Sequence, residues 1–202
     1  MHNSMLVELE GGTLVAGLRD GTPVRSGDLL IWNHFASTLS LRVLELHGRT
    51  TLRNDDRDEV LFVLGEERSI YLPAADELPL SGDMTIISAL APTTDNRQPT
   101  TGQRQRTGDR WYVELIQAEV TQFIGGIPPG RAPDHFHLYE EVICILDGAG
   151  IMHAGATSTP IAAGSCIFLP RRQRHCVENT GSGELRLLGV FYPAGSPAVR
   201  YA

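Results

Sequence analysis

Lysine is absent: all 17 basic residues of the 202-residue chain are arginine. A lysine Schiff base and a P-loop lysine are therefore excluded from its chemistry. Cysteine is scarce. Cys144, Cys166 and Cys176 are odd in number, lack a paired spacing and lie in apolar, strand-like stretches. They read as buried, reduced thiols, which points to a cytoplasmic protein without a disulfide frame. No apolar run approaches the roughly 20 residues that span a bilayer. The first residues, MHNSMLVELEGG, show no basic stretch leading into an apolar one, so no secretory signal is expected. An excess of basic charge is also missing. A net charge of −7 and a pI near 5.4 make nucleic acid and anionic membranes poor partners. Finally, no window of a dozen residues carries a helical period.

What the chain has is many short apolar segments. DLLIW, LRVLEL, EVLFVL, SIYL, DMTIIS, WYVELI, EVICIL, SCIFLP and LRLLGVFY are bounded by Gly, Pro, Asp or Asn. They predict an all-β protein, a sandwich or barrel. An internal repeat runs through them. Gly48 and Gly130, Glu59 and Glu141, and Gly82 and Gly164 all stand 82 residues apart. The chain thus reads as two copies of one small β-domain, residues 1–97 and 108–202. The polar, Pro/Gly/Thr-rich stretch 91–110 joins them, with the linker at 98–107.

One constellation carries chemistry. In HFHLYEE, residues 135–141, His135 and His137 share a strand face, and Glu141 keeps their parity. Some 40 residues later GSCIFLPRRQRHCVEN brings His175 at the start of another strand-like segment. Neutral imidazoles with one carboxylate suit a borderline divalent cation.

Here the sequence resembles the cupins. Their first motif is matched by Gly130, four residues, His135-Phe136-His137, three residues, Glu141, six residues and Gly148. Their second is matched by Gly164, five residues, Pro170-Arg171-Arg172, two residues, His175, three residues and Asn179. The chain departs twice: the first gap is one residue short, and Arg172 stands where the motif has glycine. The resemblance implies two jelly-roll β-barrels in tandem. It implies one divalent metal ion (Fe2+, Mn2+, Ni2+, Co2+ or Zn2+) held by His135, His137, Glu141 and His175 in the second barrel. It is also compatible with a homodimer. At the 82-residue offset these positions map to Arg53, Asp55, Glu59 and Thr93, so the first half is expected to be a degenerate copy without metal ligands.

The fold does not fix the function. Three readings follow for a small-molecule partner. The first is a metal-dependent dioxygenase. The second is a non-redox isomerase, lyase or hydrolase acting on a sugar- or acid-like substrate. The third is a binding protein whose metal anchors a ligand. No acid or base is assigned. His153 reads as an exposed or core residue, or as an acid or base inside the barrel. His2, His34 and His47 carry no constellation. By alternation Glu140 is expected to face solvent and Tyr139 the cavity side. Arg131 and the RRQRH loop (171–175) read as solvated charge, or as an anion guide at the barrel mouth. Phe191 and Tyr192 read as barrel wall.

Overall fold

The computed structural model describes residues 6–93, 102–199 and 201. Two short strands, β1 (Val7–Glu8) and β2 (Leu14–Gly17), come first. Next are β3 (Val24–Ser26), β4 (Leu29–Phe35), β5 (Ser40–Arg53), β6 (Arg57–Val63), β7 (Arg68–Leu72) and β8 (Glu77–Pro92). The second half opens with β9 (Gln105–Thr107), β10 (Arg110–Gln117), β11 (Thr121–Ile127), β12 (Gly130–Arg131) and β13 (Glu140–Asp147). It closes with β14 (Ala149–Ala154), β15 (Thr157–Ala162), β16 (Ser165–Leu169), β17 (His175–Asn179) and β18 (Leu185–Tyr192). Among the described residues the helical content is one 3-10 turn, Glu10–Gly12, and no helix is long and apolar enough to cross a membrane. The expected all-β architecture of two jelly-roll barrels in tandem is what forms.

The second barrel closes a sheet ordered β1-β2-β16-β13-β18-β11-β10-β9 over a small sheet ordered β12-β17-β14-β15. Its interior combines Ile143, Ile145, Ile167, Leu187 and Phe191 of the large sheet with Met152, Ala154, Ile161 and Val177 of the small one. Strand β13 shows why its sequence is almost continuously apolar. Its odd positions, Ile143 and Ile145, enter this barrel. Its even positions, Val142 and Cys144, face the first half, against a core that includes Trp32, Phe35, Leu41, Val43, Val60 and Phe62. A strand buried on both faces has no polar side to show.

The first barrel is built on one sheet ordered β3-β4-β5-β8-β6-β7. β5 pairs with β8 over its full length. Where they face each other at Gly48 and Gly82, φ is 137° and 111°, a backbone that suits glycine and lets the ribbon bend across its own core. That core is Leu29, Leu44, Leu46, Leu52, Leu61, Leu72, Leu80 and Ile86.

The first residues of β3, β4, β5 and β6 recur as those of β9, β10, β11 and β13 at the 82-residue offset, to within one residue. Beyond that point the offset changes, which corrects two assignments. Gly130 faces Asn179 as Gly48 faces Gly82, so Gly82 corresponds to Asn179. Gly164 lies in the turn between β15 and β16. His135 bridges to His175 as Arg53 pairs with Glu77, so His175 corresponds to Glu77 rather than Thr93. The physical cause is the added hairpin β14–β15, which lengthens the second copy. Leu72-Pro73 and Leu169-Pro170, 97 residues apart, carry the new register.

The sheets also depart from the expected boundaries. β2 pairs with β16, so residues 7–17 extend the second half's sheet although they precede the first. Of the linker 98–107, residues 98–101 lie outside the described residues, and 105–107 form β9 against β10. His2 also lies outside them.

Candidate metal centre

His135, His137 and His175 come together at the floor of the second barrel. The pairing of β12 with β17 continues into mutual backbone hydrogen bonds between His135 and His175. This sets the two rings side by side, 4.6 Å between centroids. One ring nitrogen from each of the three lies within 4.8 Å of the others. Among the described residues this is the one such cluster. His137 and His175 are buried and His135 half-buried.

Each ring is oriented by a backbone carbonyl. Nδ1 of His135 donates to Pro133 O at 3.2 Å, that of His137 to Val199 O at 3.1 Å and that of His175 to Gln173 O at 2.8 Å. A carbonyl only accepts, so Nδ1 carries the proton and Nε2 of the neutral ring keeps its lone pair. All three imidazoles are thereby set as metal ligands, with the outer hydrogen bond that such ligands usually make. Glu141, at the start of β13, places Oε2 3.7 Å from His137 Nε2 and 3.9 Å from His175 Nε2. The donor set is chemically right for a divalent ion, and the carboxylate stands where it can join it.

A cavity of about 80 Å³ opens over these groups. Tyr112, Phe123, Ile127, Ile143, Val177, Leu187 and Phe191 form most of its wall, and Thr107, Arg110, Trp111 and Pro197 also line it. Sequence reading missed most of this wall and placed Phe191 in packing alone. The signal was alternation on β11, where Phe123, Gly125 and Ile127 share the inward face.

The other candidates fall elsewhere. His153 Nε2 donates to Glu178 Oε2 at 2.7 Å and does not line the cavity. His34 bonds Leu18 O at 2.9 Å, and burial holds its pKa below the usual value. His47 lies exposed, 3.4 Å from Asp83. Glu140 does not face solvent as expected. It accepts from Ser37 Oγ and Leu39 N, fastening a first-half loop. Tyr139 stacks on His137, 4.8 Å between centroids, rather than lining the cavity. Arg131 is paired with Asp134, and Arg171, Arg172 and Arg174 are exposed. The three thiols are free and buried. A hydrogen bond with Cys144, and burial, raise the Cys166 thiol well above the ordinary range, while burial raises Cys176. Both shifts oppose thiolate chemistry.

Comparison with known proteins agrees with this geometry. The family described as Cupin_2, cupin domain, matches residues 123–191, the stretch that contains all four residues of the candidate centre. This stretch of the chain is a cupin domain. The oxalate-binding protein of Thermotoga maritima is 38% identical over 67 residues, 32% of this cupin and 55% of that protein. Auxin-binding protein 1 of Arabidopsis thaliana is 32% identical over 83 residues, 36% of this cupin and 42% of that protein. The cupin thus spans about half the length of these curated relatives. Among solved structures, the putative glyoxylate induced protein from Pseudomonas aeruginosa superposes with a TM-score of 0.71 at 15% identity. That match covers 98% of this cupin and 96% of that chain, so the fold extends over both halves.

Proposed function

We propose that this cupin is a metal-dependent dioxygenase acting on a small organic molecule with a compact apolar body. His135, His137, His175 and Glu141 would hold one divalent ion, Fe2+ being the one that suits the reaction. When bound, such an ion supplies open positions for an oxygen ligand of the substrate and for dioxygen. The chain's own contribution is orientation and exclusion. The carbonyl-bound Nδ1 atoms hold the imidazoles fixed, and the ring of Phe, Tyr, Ile, Val and Leu side chains keeps water off the substrate body.

One observation carries the preference over a non-redox reaction. Apart from the histidines and Glu141, the described cavity wall contains no Asp, Glu, His or Cys, and Tyr112 donates its hydroxyl to Gln105 at 2.7 Å. An isomerase, lyase or hydrolase needs a side chain placed to move a proton, and this wall offers none beyond the ligand set. The same wall also fits a binding protein, and the oxalate-binding relative favours keeping that second reading.

Elemental analysis of the purified protein, followed by an oxygen-uptake screen of the iron-loaded form against small aromatic and aliphatic acids, separates them. Uptake that depends on both iron and one compound class is the expected result. Saturable binding of such a compound with no uptake and no product would establish the binding reading instead.

A further inference from the structure

His135 and His175 each find their Nδ1 acceptor two residues back, at Pro133 and Gln173. The acceptor for His137 lies 62 residues away, at Val199. That carbonyl belongs to the segment after β18, which is fastened along its length. Thr121 Oγ1 donates to Gly195 O at 3.0 Å and accepts from Gly195 N at 3.2 Å. The Tyr139 hydroxyl donates to Ser196 O at 3.0 Å. Pro197 then forms part of the cavity wall. Tyr201 and Phe136 exchange backbone hydrogen bonds of 3.0 and 3.2 Å, and their rings stack at 5.5 Å. Gly195 lies so close to the Tyr139 ring that a Cβ there would come within 2.2 Å of it. The segment is laid flat against the strand region that carries His135 and His137.

We propose that residues 195–199 and Tyr201 form a strap that orients His137 through the Val199 carbonyl and closes the cavity with Pro197. The strap's backbone is a positioning element for the metal centre, and Pro197 limits how long a ligand the cavity accepts. The proposal rests on the metal-binding reading given above. It adds that one of the three imidazoles is set by a segment that follows the last barrel strand. Fixing a ring through its outer hydrogen bond is worth roughly 10- to 100-fold in metal affinity, and the strap should carry a share of that size.

The probe is Co2+ alone, whose visible spectrum reports coordination and whose titration reports affinity. A chain ending at Gly195 is expected to keep its β-sheet circular dichroism and cooperative urea unfolding. It should bind Co2+ about 10- to 100-fold more weakly, with altered visible bands. A folded truncated chain with unchanged affinity and spectrum overturns the strap. Should the truncated chain not fold, Thr121→Val with Tyr139→Phe decides the matter. This pair keeps the ring that stacks on His137 and removes the side-chain ties to Gly195 and Ser196. Faster amide exchange at Tyr201 together with weaker Co2+ binding supports the strap; faster exchange with unaltered binding, or no change in exchange, overturns it. Absence of Co2+ binding by the unaltered chain would overturn the metal reading itself, and the strap with it.

Discussion

The two barrels place a carboxylate at the same point of the same strand and neutralise it differently. Glu59 in β6 and Glu141 in β13 are both buried. Each pairs with a leucine on a neighbouring strand, Leu72 on β7 and Leu169 on β16. In the first barrel the charge is met by protein. Arg42 Nη2 lies 2.6 Å from Glu59 Oε1, with Asn54 Nδ2 and Ser88 Oγ also donating to the carboxylate. In the second, the cross-strand pair Arg42–Ser88 is replaced by Phe123–Gly189, and the Phe123 ring fills the space over the glycine. The remaining positions change in concert. Arg53 is joined to Asp55 at 2.8 Å and to Glu77 at 3.2 Å, where the second barrel has His135, His137 and His175. Those two acids raise the Arg53 pKa above its ordinary value. One barrel therefore balances its acids with guanidinium groups and fills its interior with leucine. The other presents neutral imidazoles beneath an apolar cavity, a set that calls for a cation from solution. A buried carboxylate needs a compensating charge in either case.

The largest test of this contrast removes an imidazole. His137→Ala should lower metal affinity by more than the roughly 100-fold that loss of an outer hydrogen-bond partner can cause. Elemental analysis should then find less than a tenth of the metal held by the unaltered chain, with the circular dichroism spectrum preserved. Unchanged metal content would mean that the cluster is not the binding site.

In the first barrel the corresponding test removes the cation. Arg42→Leu leaves the buried Glu59 carboxylate with its Asn54 and Ser88 donors but without the Arg42 cation, and should cost about 3–5 kcal/mol in urea unfolding. Combining it with Glu59→Leu should recover most of that loss, because an apolar pair of similar size can replace a buried ion pair. A loss that persists in the double variant would mean that packing, rather than charge, is the role of Arg42.

A smaller effect concerns Asn179, which corresponds to Gly82. Its Nδ2 donates to Ile127 O at 2.8 Å and Gly183 O at 2.7 Å, and its Oδ1 accepts from Gly181 N at 2.9 Å. Asn179→Ala should cost about 2 kcal/mol of stability, since these backbone groups lose their partners. Gly82 offers no side chain for such a role, so this loss has no counterpart in the first barrel. Equilibrium unfolding measures it.

Much of this was legible in the chain itself. Strand identity followed from short apolar segments between turn residues, and the repeat held wherever both copies have equal lengths. The three histidines that the structure gathers were singled out because metal ligands need fixed residue types at fixed spacing. The repeat failed after Asp147, where the added β14–β15 hairpin shifts the register and the Leu-Pro pairs were not used to recover it. The extension of the second half's sheet by residues 7–17 could not be read from strand propensity, because pairing over such a sequence distance depends on which edge is left open. Glu140 was misplaced for a related reason. Alternation gives the face of a strand but not whether a second sheet covers that face.

The same Leu-Pro register yields the finest comparison of the two halves. It aligns Ala75 with Arg172, and both adopt left-handed backbone, with φ of 67° and 64°. Both use their N–H in the same way: Ala75 N donates to Asn54 O at 2.6 Å and Arg172 N to His137 O at 2.7 Å. Each turn is then closed by a second bond to its proline carbonyl, Asp76 N to Pro73 O and Gln173 N to Pro170 O. Arg172 stands where the motif has glycine, and the turn keeps the backbone glycine would give it. A non-glycine residue in this conformation costs about 1–2 kcal/mol, against roughly 0.5–1 kcal/mol for the greater freedom of glycine in the unfolded chain. Ala75→Gly and Arg172→Gly should therefore each stabilise by about 0.5–1 kcal/mol in urea unfolding. Being in separate barrels, the two gains should add. Neither change removes a backbone donor, so metal content should stay the same. A gain in one turn with a loss in the other would show that the two turns bear strain differently, and that their alignment is one of shape alone.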